Sequence, residues 1–146
     1  MEKLTINTGL DRFLLLDCIR GAGQDSIEGT LFLTGNQCYL GIEALAQLGA
    51  MHVRYITDFS CHAFLLSIRK CSIQEEFVPN SSLLLSGKLL SRSTSGFLYA
   101  LNASSEDKTL IAGEFLFAAI PYDQKFKKEC LESHYRKVFS CLKNGS

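Results

Sequence analysis

The fourteen residues from Leu40 to Val53 constrain the fold more than any other stretch of the chain. Leu40-Gly41-Ile42-Glu43-Ala44-Leu45-Ala46-Gln47-Leu48-Gly49-Ala50-Met51-His52-Val53 is built mostly from strong helix formers and follows the turn formers Thr34, Gly35 and Asn36. The spacing predicts a helix ending near Tyr55 to Asp58. At about 100° per residue, Leu40, Ile42, Leu45, Leu48, Met51 and Val53 point in most directions around its axis. A helix that is apolar nearly all round is normally enclosed by the rest of the fold. Inside this run sit one carboxylate, Glu43, and one amide, Gln47, four residues apart and therefore on one face. Two readings of Glu43 follow from spacing. It is either a first-turn acid favoured by the helix dipole and partly solvated, or a desolvated carboxylate with a raised pKa, the usual condition of a general acid.

The rest of the composition bounds the answer without sharpening it. A chain of 146 residues, 47% hydrophobic, can bury the core of one domain over residues 1–146. Fifteen basic and fifteen acidic residues cancel, which speaks against nucleic acid or an anionic membrane surface as a partner. Met1-Glu2-Lys3-Leu4-Thr5 opens no apolar secretion signal, and no apolar run reaches membrane-spanning length. The six cysteines show no CxxC pair, so free thiols in a reducing cytoplasm are expected. No clustered metal ligands appear, and neither a metal nor a cofactor is expected.

Along the chain, Gly21 to Asp25 reads as a turn. Ser26 to Leu33 reads as a strand with Ile27, Leu31 and Leu33 on one face and Glu28 and Thr30 on the other. After the helix the pattern turns to β. Strands are expected over His62 to Ile73, Leu83 to Leu90, a third carrying Phe97, Tyr99, Leu101 and Ala103, and Thr109 to Ile120, halted by Pro121. Phe77-Val78-Pro79-Asn80-Ser81, Ser91 to Gly96 and Ser104 to Lys108 are the intervening turns. Short turns between long strands predict an antiparallel meander. Over residues 124–142, Phe126, Cys130, Leu131, Tyr135, Val138 and Leu142 recur at helical spacing, opposite Lys127, Lys128, Glu132 and Arg136. This predicts an amphipathic terminal helix that covers a sheet edge or a subunit contact. Alternatively it docks a partner, with Lys125, Lys127 and Lys128 attracting an acidic carrier.

Gly41-Ile42-Glu43-Ala44-Leu45-Ala46-Gln47 resembles the helix motif of hotdog-fold 3-hydroxyacyl-ACP dehydratases of the FabZ/FabA type, and most of all the dehydratases of aryl-polyene clusters. Two further stretches are similar to that family: Leu10 to Arg20, whose short apolar run and following acid match an opening segment of Arg, apolar triplet and Asp, and the bend at Val78-Pro79-Asn80, where Asn80 stands in place of the usual glycine. The resemblance covers roughly residues 10–120. It implies an α+β hotdog fold, a curved antiparallel sheet wrapped around a central helix, with the C-terminal helix as an addition. It also implies a homodimer whose sites lie between subunits, or a heterodimer with a homologous dehydratase. The substrate it implies is an acyl thioester, carried by acyl carrier protein or coenzyme A, in fatty-acid or polyketide-type biosynthesis.

Loss of water from such a substrate needs a base for the α-proton, an acid for the departing hydroxyl and a donor to the thioester carbonyl. By resemblance Glu43 takes the acid role. The N–H groups around Cys38, Tyr39 and Leu40, at the helix N-terminus, take the carbonyl, and Gln47 adds a substrate contact. The family's base is a histidine in a "G-H-F-P-G" loop before the helix, and here Gly29 to Gln37 holds no histidine. His52 lies nine residues past Glu43 and faces the other way, and His134 belongs to the added helix. His62 is the expected substitute, with a satisfied structural histidine as the alternative for all three. A hotdog thioesterase, in which Glu43 activates water, and a non-catalytic acyl-binding subunit remain open alternatives.

Overall fold

The computed structural model describes residues 15–33, 38–74, 80–122 and 128–144. Six strands, β1 (Cys18–Ala22), β2 (Ser26–Leu33), β3 (Cys61–Ile73), β4 (Ser81–Arg92), β5 (Gly96–Ser105) and β6 (Lys108–Pro121), form one sheet. Two helices, α1 (Cys38–Ile56) and α2 (Lys128–Asn144), complete the elements among the described residues. Strand order is β1-β2-β4-β5-β6-β3, and every neighbouring pair is antiparallel. The expected meander is β4-β5-β6. The strand that follows α1 crosses over to pair with β6 at the opposite edge from β1.

Alternation explains why these stretches are strands. Along β5, Phe97, Tyr99, Leu101 and Ala103 are all buried, each followed by a half-buried residue. Ile27, Leu31 and Leu33 do the same on β2, while Glu28 and Phe32 face out. Register shifts interrupt four pairings, between Ile19 and Gly21, Leu65 and Ser67, Leu89 and Ser91, and Ala103 and Ser104, with another between Arg69 and Ser72. Such irregularities bend and twist a sheet. The result wraps around α1, which packs against β2, β3, β4, β5 and β6. Ala44, Leu45, Leu48 and Val53 of α1 are fully buried against Tyr99, Phe115 and Phe117 in the core. The helix lies close on the sheet at Gly49, where an added Cβ would come within 2.5 Å of the Phe117 ring.

α1 ends in a Schellman-type turn, with Phe59 N–H donating to the Arg54 carbonyl and Asp58 N–H to that of Tyr55. Asp58 and Phe59 both adopt positive φ, 54° and 57°. That turn presents its side chains to α2. Tyr55 stacks on Phe139 at 5.1 Å between ring centroids, Phe59 meets the same ring edge-on at 5.7 Å, and Arg136 donates to the Asp58 carbonyl at 2.8 Å. Leu131, Tyr135, Val138 and Leu142 form the buried face of α2, as the spacing predicts. α2 also packs on β1.

Three expectations are corrected. The turn after residue 20 is shorter than composition suggested, because Gly21 and Ala22 pair with Glu28 and Ile27 in β1. α1 starts at Cys38, so Glu43 lies beyond the first turn and a dipole-favoured first-turn acid is excluded. Nor is Glu43 enclosed within the chain, since its position on α1 is exposed. The sheet covers the other faces of α1 and leaves that stripe open. Residues 34–37, 75–79 and 123–127, with the Leu10 to Leu14 part of the opening segment, the bend's Val78 and Pro79, and Phe126, lie outside the described residues. Asn80, at the bend's end, has φ of 56°, a left-handed conformation that asparagine tolerates better than most side chains.

Candidate active site

Positions 43, 47, 50 and 54 recur at spacings of four, three and four, so they form a single stripe along α1. In the structure that stripe lines one wall of a cavity of about 300 Å³. Ala46 and Met51 flank it, Ala63, Phe64 and Leu65 of β3 and Phe117 of β6 close the sides, and His134, Tyr135 and Val138 of α2 form the far wall. The lining is mostly apolar with a few polar groups converging on it, the usual character of a small-molecule site.

Glu43 stands at the exposed end of this stripe. Gln47, one turn on, is half-buried, and its Oε1 accepts a hydrogen bond from the Leu15 N–H at 2.8 Å. That contact ties the segment before β1 to the cavity wall. Cys38, Tyr39 and Leu40 are the first residues of α1, so their N–H groups have no acceptor within the helix. The Tyr39 side chain is 61% exposed.

Arg54 closes the stripe and is the charged group that sequence reasoning missed. Only 6% of it is exposed. Its guanidinium lies 3.8 Å from the centroid of the Tyr135 ring, and Nη2 donates to the Ala63 carbonyl at 3.3 Å. Nε has no hydrogen-bond partner, and no carboxylate among the described residues pairs with it. Burial pushes its pKa down from the ordinary value, partly opposed by Tyr135 and Tyr122. The signal was available: eleven residues beyond Glu43 is three helical turns, within about 20° of the same face.

The histidines separate clearly. His52, on the opposite side of α1, is fully buried and hydrogen-bonds Tyr99 and the Gly23 carbonyl, so the structural alternative holds for it. His62 is buried beside the cavity rather than in its lining, edge-on to Phe64 at 4.3 Å and near the rings of Tyr122 and Tyr135. Burial, and then the nearby Arg54 cation, push its pKa down to about 4. Tyr122 is driven up to about 12, mainly by burial. His134 shares the cavity lining with Glu43. The structure therefore brings Glu43, Gln47, Arg54, His134 and Tyr135 around one space, and leaves His62 outside its lining, with its ring 6.1 Å from that of Tyr135.

Among the described residues no group of three or more His, Cys, Asp or Glu side chains could hold a metal. Cys18, Cys61, Cys71 and Cys141 are free thiols. No helix among the described residues is long and apolar enough to cross a membrane.

No family model matches the chain, and no curated protein sequence matches it. Solved structures do. The dehydratase heterocomplex ApeI:P from Xenorhabdus doucetiae superposes with a TM-score of 0.64 at 17% identity, covering 83% of this chain and 95% of that one. A thioesterase from Pseudomonas aeruginosa, solved as a glutamine-to-alanine mutant, gives 0.62 at 11% identity over 71% of this chain and 81% of that one. A thioesterase from Haemophilus influenzae gives 0.62 at 12% identity over 70% and 77%. At such identities the likeness is one of fold, and the fold is the hotdog that the helix motif led us to expect.

Proposed function

From the hotdog fold and the contents of its cavity, we propose that this protein works on acyl thioesters, as a dehydratase of 3-hydroxyacyl chains. The supporting observation is that Glu43 stands at the mouth of an apolar cavity whose lining also includes a histidine, His134. Dehydration needs an acid and a base on one substrate, and these two side chains supply one of each. His134 takes the α-proton, the electron pair forms the α,β double bond, and the β-carbon–oxygen bond breaks as Glu43 protonates the leaving hydroxyl. Water and an enoyl thioester result. Glu43 is left as carboxylate and His134 as imidazolium, and solvent exchange resets both. The N–H groups of Cys38, Tyr39 and Leu40 receive the thioester carbonyl as it gains negative charge.

His62, expected from sequence as the base, is placed second. A histidine with a pKa near 4 is a weak proton acceptor at neutral pH, and His62 is not among the side chains that line the cavity. The acyl carrier is a carrier protein or coenzyme A, in a cytoplasmic fatty-acid or polyketide-type pathway.

A paired form is part of this reading. Among the described residues β3 has a neighbouring strand on one side only, and it exposes Leu65 and Leu66 beside the cavity. An edge strand of that length and apolarity invites a second sheet. The likeness to a dehydratase heterocomplex supports a homologous dehydratase as the partner, with a second copy as the alternative. The thioesterase alternative has its own support in the two thioesterases of the same fold. Turnover of 3-hydroxyacyl and saturated acyl thioesters decides: an enoyl product supports dehydration, a free thiol supports hydrolysis, and neither leaves an acyl-binding subunit.

A further inference from the structure

Arg54 is hard to explain as a structural residue alone. A cation taken out of water is costly unless paired and hydrogen-bonded. Of its five N–H groups, the Ala63 carbonyl takes one and Nε has no acceptor. The Tyr135 face offsets part of the desolvation, yet no described carboxylate neutralises the charge. Arg54 nevertheless lines the cavity, at the opposite end of the Glu43 stripe. Eleven residues at 1.5 Å each set the two about 16 Å apart along the helix axis. Between them the α1 wall is made by Ala46, Gln47, Ala50 and Met51, small or pliable side chains that leave room for an extended chain.

We propose that Arg54 receives a carboxylate at the far end of the acyl chain, so that the favoured ligands are ω-carboxyacyl thioesters. This rests on the acyl-thioester reading above and names its substrate class. With the thioester held at the N-terminus of α1 beside Glu43, the chain runs along the stripe and its terminal carboxylate meets the guanidinium. A planar guanidinium matches a carboxylate with two parallel N–H···O bonds, and its two Nη nitrogens carry such a pair of donors. The carboxylate supplies the missing counter-charge. A methyl-terminated chain of equal length would leave Arg54 buried and unpaired, so the site discriminates by chemistry as well as by length.

Calorimetric titration of the intact wild-type protein with non-hydrolysable thioether analogues of acyl-pantetheine tests this. Each chain length is compared in a methyl-terminated and a carboxylate-terminated form. The expected result is that, at the best length, the carboxylate form binds at least about tenfold tighter. Arg54→Gln should remove the preference, and Arg54→Lys should restore only part of it. Methyl-terminated chains binding equally well or better would overturn the assignment while leaving the acyl-thioester reading intact. Binding of neither form at any length would overturn that reading, and this inference with it. The wild-type comparison decides even if the Arg54 variants fail to fold.

Discussion

Tyr99 on β5 donates its phenolic hydrogen to Nδ1 of His52 on α1 at 2.6 Å, edge-on to the imidazole ring. The tautomer follows from the other nitrogen. Nε2 lies 2.8 Å from the Gly23 carbonyl, which can only accept, so Nε2 carries the hydrogen and Nδ1 must be the acceptor. One neutral imidazole thus joins the sheet, the central helix and the β1–β2 turn. Burial lowers the pKa of His52 and raises that of Tyr99, and both directions keep this pair uncharged.

Replacing Tyr99 with phenylalanine keeps the ring and leaves Nδ1 buried without a donor. A stranded buried acceptor costs about 1–3 kcal/mol, and urea unfolding should show that loss. Thioester turnover should be unchanged, because His52 faces away from Glu43. A neutral effect on stability would mean that water or a rearranged neighbour satisfies the imidazole.

Acid should destabilise the protein in a definite window. His52 and His62 both have folded pKa values below the ordinary 6.5, His62 down to about 4. Their neutral forms fit the fold, so their contribution is complete above 6.5, where folded and unfolded states bind the same protons. Below 6.5 the unfolded chain takes up protons that the folded chain refuses, and stability falls until about pH 4 for His62. The interval from 6.5 to about 4 caps the His62 effect at about 3 kcal/mol. Unfolding free energy measured from pH 7.5 to 4 should decline through this window. His62→Phe should flatten part of the decline, and a slope unaffected by that change would place the proton uptake elsewhere.

Gly49 fixes how closely α1 approaches the sheet. A methyl group there meets Phe117, itself fully buried, at 2.5 Å and Leu101 at 3.2 Å. Gly49→Ala gains up to about 1 kcal/mol in helix propensity, yet overpacking of this kind costs about 1–3 kcal/mol. The net expectation is a lower melting temperature, together with a displaced α1 and weaker ligand binding along its opposite stripe. A rise in melting temperature would show that Phe117 can move aside.

Periodicity carried most of the fold. Ser26 to Leu33 is a strand with the faces its alternation dictated, and the four buried positions of β5 could be read off in order. What escaped the sequence was long-range. That Gly21 and Ala22 belong to a strand depends on pairing with β2, and glycine-rich composition pointed to a turn instead. The site shows the same divide. Glu43 and Gln47 were visible as polar breaks in an apolar run, whereas Arg54 looked like an ordinary basic residue near a helix C-terminus. Only the packing of Tyr135 over it, from an element about eighty residues later, reveals it as buried. His134 reaches the cavity for the same reason, through docking of α2 that amphipathic spacing foretells without naming its target.

The β3 edge should pair in solution. Leu66 is 62% exposed and Leu65 39%, on a strand whose other side has no neighbouring strand among the described residues. Sedimentation at micromolar concentration should show a dimer, and Leu66→Glu should shift it toward monomer while leaving the circular dichroism spectrum alike. A monomeric wild-type protein, in the absence of any homologous partner, would point to the heterodimer instead.

The assignment of acid and base makes the sharpest demand. Glu43 is exposed and makes few constraints on the fold, so Glu43→Gln should keep the melting temperature within a few degrees. Its rate of enoyl formation should fall by about 10²–10⁴, the usual contribution of a positioned acid or base. His134→Gln should lower the rate by a similar factor with little change in affinity for a thioether analogue, since the helix N-terminus and the apolar walls still hold the chain. His62→Ala should change the rate by much less, because His62 is not among the cavity's lining residues. The double variant tests whether the two act on one step. Groups that serve a single transition state are not additive, so Glu43→Gln with His134→Gln should be little slower than the worse single variant. If His62→Ala proves as damaging as Glu43→Gln while His134→Gln is mild, the base is His62.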